Sequence, residues 1–204
     1  MTHLRIFLAA LAAVGAAACG GERNASQGAA RDTSAAAAPS AAAPGAQPAA
    51  GGGAMTVPDW MKVDSSAKTV TMDVQAGKTP DNNHWNFNGH AHGDATFTVP
   101  SGYKVTIDFS NHDPALAHSL GIDTRTGNLE ATLTPQPAFP GAVTPDPTNP
   151  GGATGPGKSA KVTFTPDKPG NYTMVCYIPG HAAAGMWVHF AVSADGKAGV
   201  TSGS

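Results

Sequence analysis

Six segments of this chain alternate apolar and polar residues with a period of two, and no other feature restricts its fold as much. Three lie in the first half of the patterned region: Thr69-Val70-Thr71-Met72-Asp73-Val74, Ala95-Thr96-Phe97-Thr98-Val99 and Tyr103-Lys104-Val105-Thr106-Ile107-Asp108-Phe109. Three follow later: Ala160-Lys161-Val162-Thr163-Phe164, Tyr172-Thr173-Met174-Val175-Cys176 and Trp187-Val188-His189-Phe190-Ala191-Val192. Side chains along a strand point to opposite faces in turn, so this period sends one apolar face to a core and leaves the other polar. Gly, Pro, Asn or Asp bounds each segment, and β-branched and aromatic residues are plentiful. Short strands separated by turns predict an all-β antiparallel β-sandwich. No sustained helical stripe competes with it; Pro58-Asp59-Trp60-Met61 offers one short turn. Residues 124–159, rich in Pro, Gly and Thr, break the rhythm, with only 129–133 suggesting a further strand. A connection this long is functional or loosely ordered.

The patterned region, residues 55–194, is a normal size for one domain. Before it, residues 1–19 have the layout of a secretory signal: His3 and Arg5, an apolar stretch over 6–18, then Cys19. Ala16-Ala17-Ala18-Cys19 is similar to a bacterial lipobox, although a leucine is usual where Ala16 stands. The expectation is an exported protein of the bacterial periplasm or cell envelope, lipid-anchored to a membrane at Cys19. Residues 20–54 are almost entirely Ala, Gly, Ser, Pro and Gln. Such a stretch buries too little apolar surface to offset its ordering entropy and is expected to be a disordered tether. Residues 195–204 read as a short polar tail. Within 55–194, eight Lys and Arg stand against eleven Asp and Glu, a net charge near −3. No basic cluster exists, which argues against nucleic acid as a partner.

Only two cysteines are present, Cys19 and Cys176. With Cys19 lipidated or removed, Cys176 is an unpaired thiol in an oxidising compartment, a hazard that a metal bound at the sulfur removes. Cys176-Tyr177-Ile178-Pro179-Gly180-His181-Ala182-Ala183-Ala184-Gly185-Met186 places an imidazole and a thioether at ligand spacing after it. His118, after Asn111, Asp113 and Pro114 at the end of a predicted strand, is the candidate fourth ligand. Two imidazoles and a thiolate with a weak axial thioether suit one type 1 (blue) copper ion in both of its oxidation states. Zinc would recruit further Cys, His or carboxylate and has no need of the thioether. A dinuclear copper centre would need a second cysteine near Cys176, which the sequence lacks, and iron–sulfur ligation is excluded for the same reason. His90 and His92 form a His-x-His pair, read as two solvated turn residues ahead of a second metal site. His84, His112 and His189 read as structural or surface residues.

Asp167-Lys168-Pro169-Gly170-Asn171-Tyr172, four residues before Cys176, matches the cupredoxin signature Pro-Gly-x-Tyr-x-x-x-Cys. Phe87-Asn88-Gly89, then Gly93, then Val99-Pro100-Ser101-Gly102-Tyr103 matches an Asn-Gly turn, a strand and Pro-x-Gly with an aromatic. With Gly180-His181-Ala182 and Gly185-Met186-Trp187, these motifs make the chain resemble the cupredoxins, sulfocyanin most and rusticyanin next, over roughly residues 58–193. The resemblance implies a Greek-key β-sandwich and a carrier that passes single electrons to respiratory partners such as a c-type cytochrome or a membrane oxidase. By the same analogy Asn111 braces the ligand loop and the Ser119 N–H donates to the Cys176 sulfur. The His90-Ala91-His92 turn departs from the family, which commonly has small or hydroxyl residues there. The chain is expected to act as a monomer and not as an enzyme, since a copper nitrite reductase needs a second catalytic copper with its own histidines. Periplasmic copper binding or trafficking is the alternative. Pro179, Ala182, Ala183 and Ala184 are expected to leave the His181 edge near the surface in a flat apolar patch.

Overall fold

The computed structural model describes residues 53–127 and 129–203. The signal segment 1–19, Cys19 and the tether up to residue 52 lie outside the described residues. Among the described residues nine strands follow in chain order: β1 Met61–Asp64, β2 Thr69–Ala76, β3 Ala95–Pro100, β4 Lys104–Asn111, β5 Gly121–Asp123, β6 Ser159–Phe164, β7 Gly170–Val175, β8 Trp187–Ser193 and β9 Gly199–Ser202. They form two sheets, ordered β1-β2-β4-β6 and β5-β7-β8-β3-β9. The period-two residues face inward as the alternation requires: Val70, Met72 and Val74 from β2 and Val105, Ile107 and Phe109 from β4 are fully buried. They share one core with Phe97 and Val99 of β3, Met174 of β7 and Val188 and Phe190 of β8. Among the described residues the only helical element is one 3-10 turn, Asp81–His84. No described helix is long and apolar enough to cross a membrane.

The sandwich is not purely antiparallel as expected. β2 runs parallel to β4 from Thr69↔Lys104 to Ala76↔Asn111, and β3 runs parallel to β8. The connections explain this. The chain leaves β2 for β3 in the opposite sheet and returns to β4, and two reversals restore the original direction. Parallel neighbours require such a crossover, which a two-residue hairpin cannot supply.

Three short strands, β1, β5 and β9, fall outside the six alternating segments. β1 follows a turn in which Met61 N–H donates to Pro58 O, then pairs with β2. The tail expected at 195–204 instead supplies β9, antiparallel to β3 from Ala95↔Ser202 to Thr98↔Gly199. Its polar composition hid one buried apolar residue, Val200, and without β9 the polar backbone edge of β3 would stand open.

The described residues between β5 and β6 form no strand, so the strand suggested at 129–133 is not found. Leu129 and Leu133 are used otherwise. Both pack with Val175, Tyr177 and Ala182 in a second small cluster. The segment thus covers the outer face of β7, whose residues Thr173, Met174 and Val175 are buried without alternation.

Candidate metal centre

Three separated segments meet at one end of the sandwich. The first is the turn after β4. Asn111, buried at its end, donates from Nδ2 to Leu116 O and Thr154 O, each at 2.8 Å, while its Oδ1 accepts the Asp113 N–H. Asn111 therefore braces the 111–118 turn and the long β5–β6 segment, not the 176–186 loop as analogy suggested. Asp113 Oδ1 accepts the N–H groups of Ala115 and Leu116, and Oδ2 lies 2.9 Å from His118 Nε2. The turn closes against Gly77, where a Cβ would stand 2.7 Å from the Asp113 nitrogen and φ is +67°. His118 exchanges both backbone hydrogen bonds with Thr154 and has no exposed surface.

The second segment is the loop after β7. Cys176 N–H donates to Met186 O, Met186 N–H donates to His181 O, and His181 N–H donates to Ile178 O. These bonds fold 176–186 back on itself, with Gly180 and Gly185 at φ +88° and +97° where L side chains are strained. Gly180 N–H also donates to Ala131 O, tying the loop to the long segment. The expected contact from Ser119 is present: its N–H donates to Cys176 Sγ at 3.4 Å, and its Oγ accepts the Tyr177 N–H at 2.9 Å.

Together these segments bring His118, Cys176 and His181 to one point, all buried, their ligand atoms within 4.8 Å of one another. The Nδ1 atoms of the histidines are 3.1 Å apart and lie 4.0 Å (His118) and 3.6 Å (His181) from the sulfur. Met186, the fourth candidate, is fully buried beside them in the chain-reversing loop. Burial lowers the His181 pKa to about 4, helped by neighbouring His118. Burial also lowers that of His118, with Asp113 opposing the shift. Burial opposes ionisation of Asp113, but the Ala115 and Leu116 N–H groups and His118 outweigh it and hold its carboxyl below the usual range. The Cys176 thiol is pushed up by burial, opposed by hydrogen bonds from Ser119 and Ile178. The imidazoles are therefore neutral and ready to donate, and a metal must displace the thiol proton to bind.

The third segment is the turn that carries Trp85. Its indole stacks on the His181 ring, centroids 4.2 Å apart and planes 17° from parallel. Of the patch expected around His181, Pro179 and Ala183 are exposed while Ala182 is buried and His181 itself is 4 % exposed. His90 and His92 do not converge either. His90 meets Asp94 at 3.2 Å and His92 meets Asn82 Oδ1 at 3.2 Å. His84, His112 and His189 contact Gly77 O, Ser110 Oγ and the Trp187 ring respectively. Asp113 and Trp85 contact the two candidate imidazoles, and sequence reasoning missed both contacts. A carboxylate five residues before His118 was a usable signal for the first, and none pointed to the second.

One soft sulfur, two imidazole Nδ1 atoms and a thioether, all on buried residues, fit copper better than a hard metal. A sulfocyanin of Sulfolobus acidocaldarius is 30% identical over 135 residues, 60% of this chain and 63% of that protein, so the chain spans less than two thirds of the relative. Rusticyanin from Thiobacillus ferrooxidans is 28% identical, with 66% of this chain and 87% of that one covered and a TM-score of 0.41. A reduced auracyanin from Roseiflexus castenholzii is 24% identical, covering 60% of this chain and 96% of that one, with a TM-score of 0.42. Residues 57–200, which include all four candidate donors, match the Sulfocyanin (SoxE) domain family, and the chain belongs to that family of copper-binding cupredoxins.

Proposed function

We propose that this protein is a single-electron carrier whose one copper ion is held by Cys176 Sγ, the Nδ1 atoms of His118 and His181, and the Met186 thioether. The observation that carries the reading is the convergence of a thiol and two neutral imidazoles, all three buried. Copper bound there supplies one-electron oxidation and reduction between Cu(II) and Cu(I). The residues supply the rest. Asp113 holds His118 in the tautomer that leaves Nδ1 free to bind, as a carboxylate on the remote nitrogen does for a metal-bound histidine. Ser119 N–H stabilises a thiolate at Cys176. Met186 would supply a weak fourth donor to the copper, and a set of four protein donors suits an electron carrier and not an enzyme.

The partner is a redox protein, such as a c-type cytochrome or a membrane oxidase, meeting the monomer in a small, short-lived interface. The exposed Pro179 and Ala183 beside His181, and Leu116 two residues before His118 and 41 % exposed, suit an apolar encounter of that kind. Residues 1–19 export the chain to the periplasm or cell envelope. Cys19 carries the lipid, and residues 20–54 tether the domain at 55–194. Copper trafficking has less support, because His90 and His92, which it would recruit, take separate partners.

Purified copper-loaded protein should be intensely blue or green, keep its copper against a competing chelator, and accept and return one electron per chain. Cys176→Ser should be colourless. Colourless wild type at full copper loading would refute the electron-carrier reading. Ready transfer of copper to an acceptor protein would favour trafficking.

A further inference from the structure

The two imidazoles that face the sulfur are held by different means. His118 has its remote nitrogen fixed, with Nε2 on the buried Asp113 carboxylate. Among the described residues no hydrogen bond reaches Nε2 of His181; its ring contacts are with Cys176, His118 and Trp85. The near-parallel stack on Trp85 restricts what the polar brace does not. A quarter turn of the imidazole about its Cβ–Cγ bond would drive a ring edge into the indole face. With that rotation blocked, Nδ1 stays 3.6 Å from the Cys176 sulfur.

The backbone that presents Trp85 is unusual. Asn82, Asn83 and His84 have φ of 49°, 56° and 63°, three consecutive left-handed residues that are not glycine. Asparagine tolerates this region better than most residues, but a run of three is unfavourable and persists only where its surroundings impose it. Those surroundings are specific. Asn82 Nδ2 donates to Trp85 O, and buried Asn86 Nδ2 donates to both Thr79 O and Asp81 O. His92, whose N–H donates to Gly185 O in the ligand loop, also reaches Asn82 Oδ1. The turn that carries Trp85 and the loop that carries His181 are thus joined at two places.

We propose that Trp85 is a positioning residue of the metal centre, which fixes the ring plane of His181 in the copper-free and copper-loaded protein alike. This inference rests on His181 being a copper ligand.

The test compares wild type with Trp85→Leu and Trp85→Phe. One readout is the order of the His181 ring in the copper-free protein, from the width of its imidazole NMR signals. The other is the rate at which the reduced, copper-loaded protein loses metal to an excess of a cuprous chelator. Trp85→Leu should broaden the ring signals and speed copper loss about tenfold, the scale on which outer contacts to a ligand act. Trp85→Phe keeps a stacking ring and should fall between the two. Its unfolding midpoint should match wild type, a split that a merely structural role would not give. Sharp His181 signals and wild-type copper loss in Trp85→Leu would overturn the proposal. If that variant does not fold, Trp85→Phe and Asn83→Val carry the test, the latter straining the presenting turn at an exposed side chain. Faster loss from either then supports the role, and unchanged loss from both overturns it. Wild type that binds no copper would refute the electron-carrier reading, while the ring-order comparison would still decide the role of Trp85.

Discussion

Gly121→Ala is expected to strain the strand pair that carries Cys176, and its cost can be worked from the structure. Gly121 opens β5 and pairs with Val175, the residue before Cys176. A Cβ built there stands 2.5 Å from Tyr177 Cε2 and 3.1 Å from its hydroxyl oxygen. Comfortable carbon contacts lie near 3.5–4.0 Å, so the ring must retreat by about 1 Å. It has little room. Tyr177 is 1 % exposed, and its hydroxyl donates at 2.7 Å to Asp123 Oδ2, on a carboxylate that also holds Arg125 and is itself fully buried. Overpacking a filled core costs about 1–3 kcal/mol, and a displaced ring also weakens a hydrogen bond to a charged group worth about 1.5–3 kcal/mol. We expect a loss of about 2–4 kcal/mol, or roughly 4–16 °C in melting temperature at about 2–4 °C per kcal/mol. Tyr177→Phe removes the anchor but keeps the ring. It should cost about 1.5 kcal/mol, the low end, because Arg125 and the N–H groups of Arg125 and Gln136 remain on the carboxylate. With the hydroxyl gone the ring can yield, so Gly121→Ala should cost about 1 kcal/mol less in that background. Urea unfolding of the four copper-free proteins measures the cycle. Additivity within about 0.5 kcal/mol would refute the claim that the Tyr177–Asp123 bond holds the ring in place.

Asp113→Asn should weaken copper binding about 10–100-fold in chelator competition, because His118 loses the carboxylate on its remote nitrogen; unchanged affinity would exclude that role. Gly77→Ala, at φ +67° and with its Cβ 2.7 Å from the Asp113 nitrogen, should lower stability by about 1–3 kcal/mol in thermal unfolding. The copper-free protein should lose stability in acid. His181 is held at about 4 and His118 also below its ordinary value, while unfolded histidines protonate near pH 6.5. The stabilisation is therefore complete above pH 6.5, falls as pH drops toward 4 and then levels off, with His181 alone contributing up to about 3 kcal/mol. A urea midpoint unchanged between pH 7.5 and 4 would contradict this. At the alkaline end Tyr177 is raised by burial first and by Asp123 next. Wild type should lose stability above pH 10, where the unfolded tyrosine ionises, and Tyr177→Phe should lose less.

What could be read from the sequence was what a short stretch of chain encodes by itself. Alternation in β2 and β4 placed Val70, Met72, Val105 and Ile107 in the core because the strand period is local geometry. Cys176, His181 and Met186 were legible because one reversing loop holds all three. Elements that depend on a distant partner were not. β9 is short and polar, and exists because β3 presents an edge. Residues 129–133 carry strand-like apolar residues but serve as a lid on β7. The parallel pairing of β2 with β4 depends on where β3 goes, which no pattern within either strand records.

The same division runs through the metal centre and explains which residues were overlooked. Ligand identity is set by donor chemistry, and a thiol, an imidazole and a thioether at close spacing announce it. The contacts that hold the candidate ligands come from elsewhere: from Asp113 on the turn after β4, from Thr154 in the long segment, and from Trp85 on a left-handed turn that meets the ligand loop only in the folded chain. A copper site that changes little between oxidation states needs its ligands fixed by the surrounding protein and not by the metal alone. The long β5–β6 segment therefore belongs to the site. Its residue Thr154 is paired to His118, Ala131 accepts from Gly180, and Leu133 packs beside Ala182. Shortening it would loosen both imidazoles while leaving all four donors in the sequence.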